Sequence, residues 1–280
     1  GINWKFAPVL DVNNNPANPV INIRAFGETP DIVSQLATAY IHGAAEYPVL
    51  TCAKHFPGHG DTGVDSHWAL PIITHDRARL DSIELPPFRA AIKAGVDSVM
   101  SAHLLIPALD PELPATLSPR ILTEELRQNL GFEGLISTDA LVMGAITDRY
   151  GADQAPVMSV IAGSDIILMP VDPEIAIQAV CKAVESGRIS AERIKQSVGR
   201  IWRSKQQLFT TWDSVTLTQS PVNSQPAAFT TLAQPQTMAV AKSILHDSLV
   251  VRGNLPLKPS SGKNIVVLEE ILDTTFLSRS

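Results

Sequence analysis

Short apolar runs and longer amphipathic stretches alternate along this chain. Five runs are apolar, short and bounded by polar or turn-forming residues, which is typical of buried strands. We predict strands at 1–12, with its apolar part ending at Asp11, and at 49–53, 96–103, 134–139 and 165–170.

The stretches between these runs carry apolar residues at helical spacing. Pro30 and Asp31 are typical start signals for a helix. Ser118 is a favoured cap residue, Pro119 suits the first helical position, and Gly131 suits the residue beyond the end. The pattern predicts helices at 31–46, at 80–94 with an interruption at 86–87, between 118 and 131, at 174–186 and at 190–208.

This alternation predicts an α/β fold with a parallel sheet, either an open doubly wound sheet or a (β/α)₈ TIM-type barrel. Polar residues end one predicted strand after another: Asp11, Lys54 with His55, His103 and Asp139. A barrel builds its site from many strand ends in this way, whereas an open sheet concentrates the site at one switch point. We therefore expect the barrel.

The composition changes after residue 208. Residues 209–230 are rich in Thr, Ser, Pro and Gln, as expected of a linker. We expect residues 1–208 to form the barrel domain and residues 231–280 to begin a second α/β domain that is incomplete. In that second part the pattern predicts a helix at 237–245 and strands at 248–251 and 263–269.

Composition excludes some classes of function. The 280 residues are 45% hydrophobic, so a sizeable core can form. A net charge of −6 argues against nucleic acid or an anionic membrane as the partner. Two cysteines do not make a disulfide framework, and no apolar run approaches the roughly 18 residues of a membrane span. Oligomeric state stays open, and the compartment is either cytoplasmic or secreted.

The loop at 54–71 concentrates titratable groups, with three histidines and two carboxylates among several glycines. Asp65 lies two residues before His67, so that the carboxylate can fix the imidazole tautomer and stabilise its protonated form. A histidine with a pKa near about 6.5 suits acid/base catalysis. The alternative is that both side chains only complete turns.

Other assignments compete for the same residues. His55, His59 and His67 with Asp61 or Asp65 could bind zinc, but no rigid helical face presents them, and we expect no metal and no cofactor. Lys54 and His55 suit hydrogen bonding to a polar substrate. Asp139 is a nucleophile or base candidate, although locally a helix N-cap is the favoured interpretation. His103 is equally well a structural histidine, and Arg24 alone would be solvated.

Together the motifs resemble glycoside hydrolase family 3, in its β-N-acetylglucosaminidase branch. The most specific of them is Lys54-His-Phe-Pro-Gly-His-Gly-Asp-Thr-x-x-Asp-Ser-His67. Blocks at 6–12, 24–30, 99–103, 117–119 and 137–143 follow in family order, and the resemblance covers about residues 1–208.

The resemblance implies a retaining, two-step mechanism on terminal β-linked N-acetylglucosamine, as in muropeptides during peptidoglycan turnover or in chitin oligosaccharides. Asp139 matches the nucleophile, His67 the general acid/base and Asp65 its partner. Arg24, Lys54 and His55 match residues that hold the sugar hydroxyls, and His103 is grouped with them. Carbohydrate is the expected partner.

Several alternatives stay open beside this resemblance. Family β-glucosidases usually take an acid/base glutamate from their second domain and lack the Asp-Ser-His element, and some members transfer sugar to phosphate. A metal-dependent barrel hydrolase and an inactive sugar-binding fragment are alternatives of other classes. The family's upstream Asp-x-Glu-Gly-Gly block has no match here, so we expect about three N-terminal strands to be lacking from the eight of a barrel.

Overall fold

The structure is a computed structural model that describes residues 2–208 and 234–247. The chain divides into two compact units, Gly1–Val215 and Thr216–Ser280. Among the described residues no helix is long and apolar enough to cross a membrane. The predicted linker at 209–230 and the strands at 248–251 and 263–269 fall outside the described residues, and the domain boundaries stay predictions.

The first unit is built on a parallel sheet of four strands whose spatial order follows the chain. The strands are β1 (Cys52–Phe56), β2 (Ser98–Ser101), β3 (Leu135–Ala140) and β4 (Ile166–Leu168). Parallel bridges join Trp4 to Leu50 and Val9 to Lys54, so the N-terminal segment lies beside β1. The α/β fold with a parallel sheet is confirmed, and the order has no reversal of the kind a doubly wound sheet needs.

Helices lie between these strands and on either side of them in the sequence, and the last one lies in the second unit. They are α1 (Pro30–Ala44), α2 (Arg77–Arg79), α3 (Pro86–Lys93), α4 (Gly144–Ala162), α5 (Pro173–Glu185), α6 (Ala191–Leu208) and α7 (Pro235–Asp247). Two π-helical segments, Leu80–Glu84 and Arg120–Asn129, precede α3 and β3, and short 3₁₀ turns lie at Asn22–Arg24 and Ala115–Leu117.

Local signals explain where several helices begin. The hydroxyl of Ser118 accepts a hydrogen bond from the amide of Ile121 at 3.2 Å, which is the cap expected from the sequence. Asp172 caps α5 in the same way, accepting from the amides of Glu174 and Ile175. These caps satisfy amides that have no partner within the helix.

The main core lies between one face of the sheet and its covering helices. Residues at a spacing of four on α1 are buried, and Phe56 of β1 meets Phe88 of α3 edge to face at 5.1 Å between ring centroids. The helical contribution to this core includes Val33, Ala37, Ile41, Ala91, Ile121, Leu122 and Leu126. A smaller cluster joins α4 to α5 through Val157, Val160 and Ala183.

Three predicted elements need correction, and one helix was not predicted. The strand predicted at 49–53 lies three residues further along the chain, at Cys52–Phe56. The run at 1–12 contributes isolated bridges at Trp4 and Val9 rather than a regular strand. The helix predicted at 80–94 starts in α2 and becomes α-helical again at α3, with the π-helical segment between them. The longest helix, α4, was not predicted, because Gly151 with φ +70° and Pro156 interrupt its pattern.

Candidate active site

Asp11 is the buried centre of the polar cluster at the carboxyl ends of the strands. Its carboxylate accepts hydrogen bonds from the amides of His55 and His59 at 3.1 and 2.7 Å, and it lies 2.7 Å from Nδ1 of His55. Burial acts to raise the pKa of Asp11, but the net shift is downward because of His55 and His59. Asp11 therefore stays ionised and fixes both the ring of His55 and the loop that follows.

Two cationic side chains lie beside this centre. Lys54 projects from β1, and partial burial, followed by the positive charge of Arg24, lowers its pKa. Arg24 donates to the carbonyl of Val20 at 3.0 Å, and its other terminal nitrogen lies 3.4 Å from Nε2 of His55. Arg24 is thus drawn into the site by its contact with His55 rather than solvated as an isolated charge.

Asp139 lies near the end of β3, five residues before α4 begins. Helix α4 has Met143 at its N-cap position and no side-chain cap, so the N-cap interpretation of Asp139 is wrong. Burial acts to raise the pKa of Asp139, but the net shift is downward from 3.8. The lowering comes first from the charges of His55 and His103, then from the Ala140 amide, which donates at 2.8 Å, and from Lys54. Asp139 is therefore a carboxylate at neutral pH.

His103 is buried between β2 and the end of β3. Its Nε2 lies 3.0 Å from the carbonyl of Ala140, and its Nδ1 lies 2.8 Å from the hydroxyl of Thr116. Because a carbonyl can only accept, Nε2 carries a proton, while the Thr116 hydroxyl beside Nδ1 also lies 2.9 Å from the carbonyl of Ala102. Burial lowers the pKa of His103, and the charge of Asp139 acts against that shift. His103 thus ties the backbone next to Asp139 to the 3₁₀ turn at Ala115–Leu117.

Asp65 and His67 form the pair expected from their spacing. One oxygen of Asp65 lies 2.6 Å from Nδ1 of His67 and also accepts from the amide of His67 at 2.9 Å. The carboxylate therefore takes Nδ1 and leaves Nε2 as the nitrogen that can exchange a proton with a substrate. The charge of His67 is among the influences that lower the pKa of His103.

The loop that carries this pair is fastened to the start of α4. The amides of Gly144 and Ala145 donate to the carbonyls of His67 and Ser66 at 3.0 and 3.3 Å. A Cβ on Gly144 would lie 2.7 Å from the carbonyl oxygen of Trp68, which is too close for any side chain. The backbone of the loop therefore approaches the helix more closely than any residue but glycine allows.

His59 lies edge to face against His55, at 6.0 Å between ring centroids, and both of its ring nitrogens have their own partners. Its Nδ1 lies 2.7 Å from Thr62 Oγ1 and its Nε2 lies 3.0 Å from Ser66 Oγ. Burial is the main reason that its pKa is lowered to about 4, so the ring is neutral at physiological pH. In residues 2–208 and 234–247, no three His, Cys, Asp or Glu side chains are grouped so that they could hold a metal ion.

The structure groups four of the predicted residues with Asp139, while Asp65 and His67 form a separate pair on the loop. Lys54, His55 and His103 all act electrostatically on its carboxylate, and Arg24 joins them through His55. Sequence reasoning did not count Asp11, His59 and Thr116 among the site residues. Asp11 could have been included by its position at the end of the first apolar run, but Thr116 has no local signal.

Comparison with known proteins places this arrangement in a family. Residues 1–204 match the model of the glycosyl hydrolase family 3 N terminal domain. Beta-hexosaminidase A of Pseudoalteromonas piscicida is 40% identical over 229 residues, 74% of this chain and 38% of that protein. A beta-hexosaminidase of Stenotrophomonas maltophilia is 34% identical over 200 residues, 71% of this chain and 58% of that protein.

A solved structure from the same family is also similar to this chain. The glycoside hydrolase family 3 beta-N-acetylglucosaminidase from Paenibacillus sp. str. FPU-7 superposes with a TM-score of 0.81 and 44% identity, covering 92% of this chain and 49% of that one. The chain thus spans between about two fifths and three fifths of the length of these three proteins. On the extent of the family match, this chain belongs to glycosyl hydrolase family 3.

Proposed function

We propose that this chain carries the catalytic residues of a retaining glycosidase that removes terminal β-linked N-acetylglucosamine. The observation that carries the proposal is the presence, in one chain, of an ionised, buried Asp139 at a strand end and a hydrogen-bonded Asp65–His67 couple on the loop that follows β1. A retaining glycosidase needs these two parts, a nucleophile and a proton donor. The names of the relatives support N-acetylglucosamine as the sugar.

In the first step, a carboxylate oxygen of Asp139 attacks the anomeric carbon and the glycosidic bond breaks. The Nε2 proton of His67 passes to the departing oxygen, so the leaving group departs as a neutral alcohol. The positive charges that lower the pKa of Asp139 keep it unprotonated for this attack. A neutral imidazole after proton transfer adds no charge that would repel the carboxylate, unlike a second carboxyl group.

In the second step, His67 takes a proton from water, and the resulting hydroxyl oxygen attacks the anomeric carbon. The bond to Asp139 breaks, which returns the carboxylate and releases the sugar with its original configuration. Asp65 accepts a hydrogen bond from the Nδ1–H group throughout and stabilises the protonated ring.

Arg24, Lys54 and His55 are proposed to bind the sugar hydroxyls. Lys54 and Arg24 are hydrogen-bond donors, and Asp11 and Arg24 together fix the ring of His55 in one orientation. His103 is proposed to hold the backbone of Ala140, and with it Asp139, against the sugar. Muropeptides and chitin oligosaccharides both present the required terminal residue.

We further infer that the four-stranded sheet belongs to an eight-stranded barrel. Its parallel strands follow chain order, and the polar cluster lies at their carboxyl ends, where barrel enzymes build their sites. The family's second domain and upstream strands would be supplied by a polypeptide of the relatives' length, called here the extended protein.

The test compares two substrates that share one leaving group. The extended protein should hydrolyse an aryl β-N-acetylglucosaminide and leave the matching aryl β-glucoside almost untouched. The acetamido group is the only difference between the two substrates, so any difference in rate is due to that group. Activity should survive a chelator, and added phosphate should not divert the product to a sugar phosphate. Preference for the glucoside would overturn the substrate assignment, and absence of turnover would favour a sugar-binding protein.

A further inference from the structure

Trp68 follows the proposed proton donor directly and is strongly exposed. Its side chain is 64% exposed, although tryptophan is one of the largest apolar side chains and is usually well buried. Its backbone is nevertheless fixed, because its amide donates to the carbonyl of Asp65 at 3.0 Å and its carbonyl lies against Gly144. The backbone that carries the exposed indole is thus fixed, in the same turn as Asp65 and His67.

Further exposed apolar side chains lie at the same end of the sheet. Val142 is 42% exposed and follows Asp139 by three residues, and Met169 is 64% exposed just after β4. The amide of Val142 donates to the carbonyl of Met169 at 3.1 Å, which places the two residues side by side. Val142 also lies two residues before Gly144, the residue against which Trp68 packs. Exposed apolar residues therefore lie near the backbone of Trp68 at the carboxyl ends of β3 and β4.

We propose that Trp68 is the platform on which the leaving-group sugar stacks. This inference rests on the proposed function. The group that receives a proton from His67 must lie beside His67, within reach of the next side chain in the chain. A pyranose ring offers an apolar face of C–H groups that suits an aromatic ring, and aromatic side chains with a few polar groups are typical of ligand sites. The preferred substrate is then an oligosaccharide rather than a glycoside of a small alcohol.

The test uses two substrates that differ in the leaving group alone. N,N′-diacetylchitobiose releases a sugar, and methyl β-N-acetylglucosaminide releases methanol, and both need a proton from His67 because both release an alcohol. In the extended protein, Trp68→Ala should lower kcat/KM for the disaccharide about tenfold and for the methyl glycoside less than about twofold. Trp68→Tyr should retain most of the activity on the disaccharide.

A matched control is Trp202→Ala, which removes another exposed tryptophan, 57% exposed on α6 and in contact with Lys205. This control should leave kcat/KM unchanged for both substrates. The pH profile for the methyl glycoside should be the same in Trp68→Ala and wild type, since His67 is unaltered.

Three results would overturn the inference. Equal losses on both substrates, or a shifted pH profile, would show that Trp68 positions His67 instead of binding sugar. No loss on either substrate would show that the indole does not contact the leaving group. If the wild-type extended protein hydrolyses neither substrate, the proposed function itself falls and this inference with it.

Discussion

Buried carboxylates lie at both ends of the parallel strands, and their surroundings differ. Asp165 precedes β4 at the amino ends and is fully buried. It lies 2.5 Å from Arg127, 3.2 Å from Arg200 and 3.6 Å from Arg193, and it accepts from the hydroxyl of Ser197 at 2.6 Å. Its charge is compensated by side chains that pack around it.

Asp139, at the carboxyl ends of the strands, has a different set of neighbours. Among the described residues, the Ala140 amide is the one hydrogen-bond donor recorded for its carboxylate, and the cations near it act through their charge. Asp165 thus stabilises the fold, while Asp139 receives fewer hydrogen bonds from the described residues. The comparison agrees with barrel proteins, in which one end of the strands serves function and the other serves stability.

The largest expected effect is on the rate. Asp139→Ala in the extended protein should lower kcat on the order of 10⁴-fold, because the covalent nucleophile is lost. Its thermal unfolding should stay close to that of wild type, since few hydrogen bonds are lost. Steady-state kinetics and calorimetry measure the two quantities. Wild-type-like turnover would remove Asp139 from the mechanism.

At the opposite end the effect should fall on stability. Asp165→Ala should lower the free energy of unfolding by about 3 to 5 kcal/mol, because three arginines lose their common partner. The kcat of the molecules that remain folded should change little. Glu192→Ala, which removes an exposed carboxylate 3.9 Å from Lys195, is the control and should shift stability by less than about 0.5 kcal/mol. A stability loss no larger than the control's would contradict the assignment.

Acidification should lower the free energy of unfolding because His59, at the carboxyl ends of the strands, takes up a proton. Its pKa is about 4 in the folded chain and 6.5 unperturbed, so between these values the unfolded chain binds more protons. Stability therefore falls as the pH drops from 6.5 to 4, by about 3 kcal/mol in total. Asp11 and Asp139, with pKa values below 3.8, lose their contributions at more acidic pH.

Denaturant unfolding between pH 4 and 7 measures this loss. His59→Gln, which can keep hydrogen bonds to Thr62 and Ser66 but cannot titrate, should flatten the curve in this range. An unchanged slope in the variant would assign the loss to other groups.

A smaller and selective effect is expected at the proton donor. His67→Ala should slow substrates with poor leaving groups about a hundredfold and activated aryl glycosides only slightly, because activated groups depart without a proton. Asp65→Ala should show the same selectivity at about a tenth of the size, since it acts through His67. Leaving-group dependence of kcat/KM measures both, and equal slowing of all substrates would indicate a binding role.

Much of this arrangement could be predicted from local patterns. Strands β2 and β4 fall within predicted apolar runs, β3 ends one residue beyond its run, and β1 shares only Cys52 and Ala53 with the run predicted at 49–53. The residues at the strand ends meet because parallel strands bring their carboxyl ends to one edge. Helix α4 could not be predicted, since Gly151 and Pro156 break its period and tertiary packing decides the outcome. The bond from Asp11 to His55 joins residues 44 positions apart, and no local pattern records such a pair.

The hydrogen bonds between the histidine loop and α4 also allow the opening of the loop to be measured. The amides of Gly144 and Ala145 are hydrogen-bonded only while the carbonyls of His67 and Ser66 lie against the helix. Each departure of the loop exposes these two amides to solvent, where their hydrogens exchange with deuterium. Their exchange rates therefore report how often the loop leaves its place, in the absence of substrate and without any label on the loop itself.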